Sequence, residues 1–186
     1  MPMLDTSGDT VIESDDYATY TVSKVDRSLE SSVRLVIKID ATERGHASGN
    51  YFKYGKHKFI LTAAHVVDGR EVWIQDGLEV VKSETLWVDK DRDIAIIRPM
   101  GELSMTKPIK FRINTDNNKV GTIIRYAGYP SHLGKMVLQG MVAKQKEQKL
   151  LLQCWALPGS SGSVIFDERG KAIGVLSAVA IEMNPF

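Results

Sequence analysis

Short apolar strands separated by turn residues fill the sequence from residue 31 onward. They are rich in Val, Ile, Tyr and Phe, and no stretch longer than about ten residues keeps apolar positions at helical spacing. This pattern predicts an all-β chain without long helices. We place the strands near 32–40, 47–54, 57–62, 71–75, 78–87, 94–98, 121–129, 135–144, 148–155, 163–167 and 171–181.

The strands form two sets divided near residues 100–115. Closing each set into a small antiparallel β-barrel would remove its exposed edges, and a cleft between two such bodies is a common ligand site. We therefore expect an acidic arm over 1–30, a first barrel over 31–105 and a second barrel over 106–186.

The arm is acidic, with seven acids against two bases, a local charge of −5 that leaves +6 for the rest of the chain. Such a composition predicts a solvated, partly disordered segment, although 17–22 has residues able to add a strand to a sheet edge. The whole chain carries 24 Lys+Arg and 23 Asp+Glu, a net charge of +1, so its charge does not favour nucleic acid or an anionic membrane as a partner.

The single cysteine, Cys154, excludes an internal disulfide and a cysteine-built zinc site. No apolar window reaches 18 residues, and the first thirty residues lack the pattern of a signal peptide. We therefore expect an intracellular protein without a membrane span. The oligomeric state cannot be deduced from the sequence.

The segment 159–162, Gly-Ser-Ser-Gly, places a serine between glycines just before an apolar strand. Small neighbours would let a substrate carbonyl approach the Ser161 hydroxyl. The backbone N–H groups of Gly159 and Ser161 could then stabilise a developing oxyanion. Glycine-serine clusters are also common in plain turns, so the motif alone leaves both interpretations open.

A serine nucleophile needs a base that takes its proton. Of the four histidines, His65 follows an apolar strand and has small neighbours, whereas His46, His57 and His132 lie in polar or turn-like sequence. A histidine on an apolar background is also typical of a buried core position.

The base in turn needs a carboxylate that fixes its tautomer. Asp89, Asp91 and Asp93 compete for this role, and only Asp93 directly precedes a buried strand. A carboxylate at the boundary of a core requires partners.

Together, Thr-Ala-Ala-His at 62–65, Asp-Ile-Ala at 93–95 and Gly-Ser-Ser-Gly at 159–162 resemble the motifs of trypsin-like serine proteases of the chymotrypsin fold, in that family's order. The resemblance covers about residues 31–181. It is strongest to the compact HtrA-type members and to viral or phage members of the family, so a viral or phage source is one expectation. It implies two six-stranded barrels with a triad of His65, Asp93 and Ser161 between them. It implies a serine endopeptidase that needs no cofactor or metal and acts on proteins or peptides.

The resemblance also implies roles outside the triad. It makes Ser177 a support for the aspartate and the backbone of Ser177, Ala178 and Val179 a pairing edge for substrate. The position six before the nucleophile, Trp155, would form the floor of the pocket for the residue before the scissile bond, unless its ring belongs to the core. With Ala156 and Val179 it would make a narrow apolar pocket.

The chain departs from the family pattern at three points. One is the acidic arm, which has no obvious counterpart in a zymogen's activation peptide, so activation by a new N-terminus is disfavoured. Ser163 replaces the usual second glycine after the nucleophile, and the chain ends at Phe186, before the strand that completes the second barrel. The second barrel therefore stays open, is filled by the arm, or is truncated. The alternative to a protease is a module of the same fold that binds peptides without cutting them.

Overall fold

A computed structural model describes residues 23–40, 42–130 and 133–177. The all-β prediction is confirmed: within these ranges there are twelve strands and two short helices. None of the helices described is long and apolar enough to cross a bilayer. The elements are α1 (Lys24–Glu30), β1 (Ser32–Lys38), β2 (Arg44–Tyr54), β3 (His57–Thr62), α2 (Ala64–Val67), β4 (Glu71–Asp76), β5 (Glu79–Asp89), β6 (Ile94–Pro99), β7 (Ile109–Lys110), β8 (Ile123–Gly128), β9 (Met136–Lys146), β10 (Lys149–Gln153), β11 (Val164–Asp167) and β12 (Ala172–Val175).

The first barrel is a closed sheet of six strands. Its order is β1-β4-β5-β6-β3-β2, and β2 pairs with β1 to close the ring. Alternate residues of each strand point inward, because side chains alternate across a sheet, and they form a core that includes Val33, Leu35, Ile60, Ile74 and Ile97. The short β7, which follows the predicted domain boundary, adds to β2 in parallel.

The second sheet has the order β10-β9-β8-β11-β12 and curls into a half-barrel. Its concave side packs Ile124, Tyr126, Val142 and Ile165 into a second core. Among the described residues no strand joins β10 to β12, so over these residues the barrel is open. Residues 1–22 and 178–186 lie outside the described ranges, and with them the strand expected over 17–22.

The last part of the acidic arm is folded, contrary to the solvated segment expected over 1–30. Ser23 begins α1 with a capping box: its hydroxyl accepts the N–H of Asp26, whose carboxylate accepts the N–H of Ser23. Val25 and Leu29 are buried against β8 and β11. The expectation was wrong for 24–30 because two apolar residues at helical spacing outweigh the acidic composition.

Aromatic packing joins the two barrels. Phe52 on the outer face of β2 lies edge-on to Phe111, at 5.0 Å between ring centroids, and 6.2 Å from Phe166 of the second sheet. All three belong to one buried or partly buried apolar cluster. This cluster fixes the first barrel against the second.

Candidate active site

His65 lies in the short helix that follows β3. Its N–H is one of the first-turn amides that have no acceptor inside a helix. Asp93 Oδ1 accepts this N–H at 2.8 Å, and Asp93 Oδ2 lies 2.7 Å from His65 Nδ1. One carboxylate therefore holds both the backbone and the ring of His65. The His65 side chain is 47% exposed, so its ring is accessible from solvent.

Asp93 is directed at His65 by an uncommon backbone conformation. Its φ is +54°, in the left-handed region that Asp tolerates better than most residues. Burial acts to raise the pKa of Asp93. Hydrogen bonds from the Ser177 hydroxyl and from the backbone and ring of His65 outweigh burial, so the pKa is lowered. The carboxylate is therefore ionised at neutral pH.

The two competing aspartates are Asp89, at the end of β5, and Asp91, in the turn before β6. Asp89 caps the turn that precedes β6, since its carboxylate accepts the N–H of Arg92 at 3.0 Å and pairs with the Arg92 guanidinium at 2.8 Å. The side chain of Asp91 is exposed. Of the three aspartates, only Asp93 is hydrogen-bonded to His65 in the part of the chain described.

The segment before Ser161 makes a tight turn. Ser160 N donates to Leu157 O at 3.0 Å, Pro158 holds the second position, and Gly159 has φ of +96°. Proline followed by a positive φ is the signature of a type II turn. The N–H groups of Gly159 and Ser161 have no acceptor among the described residues.

Of the three serines in this loop, Ser161 alone is not fully buried. Ser160 and Ser163 have no exposed surface. Ser163 fits in place of the usual glycine because Gly128 stands opposite: a Cβ on Gly128 would lie 2.6 Å from Ser163 Oγ. Position 162 requires glycine because the backbone of β2 lies so close that a Cβ there would be 2.2 Å from Ser48 O.

The loop that carries Ser161 therefore packs directly on the strand that leads to His65. A Cβ on Gly162 would also lie 2.2 Å from Thr62 Oγ1 and 3.1 Å from Ala63 N, two residues before the histidine. No hydrogen bond joins Ser161 Oγ to His65 within the described ranges. The structure thus brings the two segments into contact, but the Ser161 hydroxyl and the His65 imidazole are not hydrogen-bonded to each other.

Two buried polar residues of β2, neither of them predicted from the sequence, also touch this loop. Ser48 N donates to Ser161 O at 2.8 Å, and the Asn50 amide oxygen accepts the N–H of Val164 at 2.9 Å. Both side chains are fully buried. Their signal was the small and polar composition of the middle of β2, where polar side chains alternate at His46, Ser48 and Asn50.

The structure describes three of the five expected substrate-binding residues. The Trp155 ring is 77% exposed, so it does not belong to the core, and Ala156 packs at the edge of the second core. The Trp155 carbonyl accepts the buried Tyr126 hydroxyl, and burial raises the pKa of Tyr126 to about 12. Ala178 and Val179 lie outside the described residues.

Comparison with known proteins gives the same fold. Among curated proteins, the chain is 25% identical over 149 residues to a probable periplasmic serine endoprotease DegP-like of Halomonas elongata, covering 74% of this chain and 31% of that protein. It is 24% identical over 156 residues to Protease Do-like 1, chloroplastic, of Arabidopsis thaliana, covering 76% and 35%. The chain thus spans about a third of the length of these relatives, neither of which is viral.

Solved structures also match. The serine endoprotease from Yersinia pestis superposes with a TM-score of 0.65 at 22% identity, over 89% of this chain and 57% of that one. Deg5 superposes with a TM-score of 0.65 at 19% identity, over 90% and 87%. A family model described as a trypsin-like peptidase domain matches residues 47–175. The chain therefore belongs to the trypsin-like peptidase family.

Proposed function

We propose that this chain is a serine endopeptidase that cuts peptide bonds through an acyl-enzyme on Ser161. The observation that carries the proposal is the pair formed by His65 and Asp93, with 2.7 Å between Nδ1 and Oδ2 and the Ser177 hydroxyl on the same oxygen. A carboxylate on Nδ1 leaves the lone pair of Nε2 free to accept a proton.

In the first half of the reaction, Ser161 Oγ attacks the scissile carbonyl carbon while His65 Nε2 takes the hydroxyl proton. The carbonyl oxygen becomes an oxyanion, for which the N–H groups of Gly159 and Ser161 are the candidate donors. His65 then gives the proton to the leaving amine, and the C–N bond breaks. Substrate binding is expected to bring Ser161 and His65 within hydrogen-bond distance, as catalytic contacts often tighten only in the complex.

In the second half, a water molecule attacks the acyl carbon of the ester. His65 takes a proton from the water and returns it to Ser161 Oγ as the acid product leaves. The chain's residues supply every proton transfer in this scheme, so no cofactor enters it. Asp93 remains ionised throughout, in agreement with its lowered pKa.

Apolar residues are the proposed preference before the scissile bond. The segment between Leu150 and Ile165 contains no acid that could pair with a buried Lys or Arg. Trp155 remains a candidate for one wall of the pocket, together with Ala156. Protein or peptide substrates follow from the family. The absence of membrane and nucleic-acid partners stays a prediction. The intracellular location also stays a prediction, since named relatives include a periplasmic and a chloroplastic protease.

The test is a peptide library of mixed sequence incubated with the purified chain, followed by sequencing of the new ends. We expect cleavage after apolar residues and none with Ser161→Ala. A non-cutting peptide-binding module is not favoured, because His65, Asp93 and Ser161 are all present. Binding of peptides without any new ends in the wild-type chain would support that alternative and contradict the proposal.

A further inference from the structure

A fully buried serine of the first barrel, Ser48, contacts the turn that carries Ser161. It lies on β2 at the point where β2 leaves its partner β3, since the pairing of these strands begins only at Asn50. Beyond that point the backbone groups of Ser48 need other partners. Its N–H donates to Ser161 O at 2.8 Å, and its carbonyl accepts the Thr62 hydroxyl at 2.8 Å.

The side chain of Ser48 makes two more hydrogen bonds whose directions are fixed. Tyr129 N–H donates to Ser48 Oγ at 2.8 Å, so Oγ is the acceptor of that contact. The hydroxyl proton is then available for the second contact, to Gly159 O at 2.9 Å. A hydroxyl has one proton to donate, and here the carbonyl of Gly159 receives it.

This contact holds one peptide plane of the nucleophile turn at both ends. The plane between Gly159 and Ser160 has its oxygen on Ser48 Oγ and its N–H on Leu157 O. The peptides on either side carry the N–H groups of Gly159 and Ser161, which have no acceptor among the described residues. Since glycine rotates more freely than other residues, the turn needs such an anchor to keep those two N–H groups in place.

We propose that Ser48 is a positioning residue of the oxyanion hole: its hydroxyl fixes the Gly159–Ser160 peptide, so that the N–H groups of Gly159 and Ser161 point to one place. The proposal rests on the proposed function. Ser48 touches neither the substrate nor the reacting atoms in this scheme. Its effect on rate passes through the turn, and it should therefore act on the transition state and not on substrate binding.

The test variant is Ser48→Ala, with Ser32→Ala as the matched control. Ser32 is also fully buried, and its hydroxyl donates to the Ala127 carbonyl of the second sheet at 2.9 Å. Within the described ranges it makes no hydrogen bond to the nucleophile turn. Ser48→Cys keeps a side chain of similar shape with a weaker donor, and it carries the same test should Ser48→Ala not fold.

Kinetics on a cleaved peptide separate positioning from a general loss of packing. Losing one oxyanion donor outright costs about 100- to 1000-fold in kcat. For an indirect support we expect kcat to fall about 10- to 100-fold in Ser48→Ala, with KM changed less than about twofold. The affinity for a peptide aldehyde, whose adduct places an oxyanion in the hole, should fall by the same factor as kcat/KM. Ser32→Ala should retain kcat.

Several results would overturn the role of Ser48. These are an unchanged kcat in Ser48→Ala, equal losses of kcat in both variants, or a loss of kcat with no loss of aldehyde affinity. Amide hydrogen exchange over 157–163 measures the locking of the turn without catalysis, and it should become about tenfold faster in Ser48→Ala alone. If the exchange rate is unchanged in Ser48→Ala, Ser48 does not hold the turn, whether or not the wild-type protein has peptidase activity. If exchange is faster but the wild-type protein has no peptidase activity, the proposed function is wrong and the role of Ser48 in holding the turn stands.

Discussion

Replacing Asp93 with asparagine tests how the carboxylate controls His65. Oδ1 accepts the backbone N–H of His65, which cannot turn away, so the oxygen of the new amide must take that position. Its NH₂ group then faces His65 Nδ1 and the Ser177 hydroxyl. The hydroxyl can rotate and accept, but Nδ1 can accept only in the tautomer that carries its proton on Nε2.

This tautomer cannot take a proton from Ser161, so the variant keeps its hydrogen bonds and loses its base. We expect kcat/KM to fall by about 10⁴. That factor corresponds to about 5.4 kcal/mol in activation free energy. The free energy of unfolding should change by only about 1 kcal/mol, because each polar group at the site still has a partner.

The assay is the second-order rate of cleavage of a denatured protein substrate, with the rate of phosphonylation by a fluorophosphonate measured in parallel. Asp91→Asn is the control, since that side chain is exposed and lies only two residues away. Near wild-type rates in Asp93→Asn would refute the argument, as would a comparable loss in Asp91→Asn.

Three further predictions concern stability and specificity. Asp76 is buried and accepts two amides and a hydroxyl of the linker between the barrels, so Asp76→Asn should lower the free energy of unfolding at pH 7 by about 2–3 kcal/mol in chemical denaturation. Burial acts to raise the pKa of Asp76, but these hydrogen bonds outweigh burial and lower it. The difference in unfolding free energy between wild type and variant should therefore be present above about pH 4 and shrink as the pH falls through the lowered pKa. A difference that grows in acid would contradict this. Gly162→Ala should prevent folding or abolish activity, whereas Gly121→Ala, at a similar φ of +83° but with open space around it, should cost only about 1 kcal/mol in thermal unfolding. The wild-type protein should cut after Ala, Val or Leu and not after Lys or Arg, and Trp155→Gly should also cut after Phe and Tyr. A cleavage profile dominated by basic residues, or one unchanged in Trp155→Gly, would exclude this pocket.

Local patterns were sufficient to predict the strands and to select Asp93 among three neighbouring aspartates. Strands such as β3 and β6 show runs of apolar residues bounded by turn residues, and the strand boundary distinguished Asp93 from Asp89 and Asp91. These signals lie within a few residues of each other, so they can be seen in a single sequence.

Contacts between distant segments could not be predicted in this way. Ser48 and Gly159 are 111 residues apart, and nothing in either segment names the other. The exposure of Trp155 depends on how the second sheet curls, which its neighbours do not encode. In α1, the acidic composition obscured Val25 and Leu29, whose burial depends on the second sheet being present.

Mapping the site of a serine-directed fluorophosphonate is the most direct test of the central claim. We predict one adduct, on Ser161, found by mass spectrometry of the digested protein. It should be absent from Ser161→Ala and from protein that is denatured before treatment. Ser160→Ala and Ser163→Ala should still be labelled, because both hydroxyls are fully buried in the folded chain. An adduct on Ser160, or labelling that persists in Ser161→Ala, would contradict Ser161 as the nucleophile.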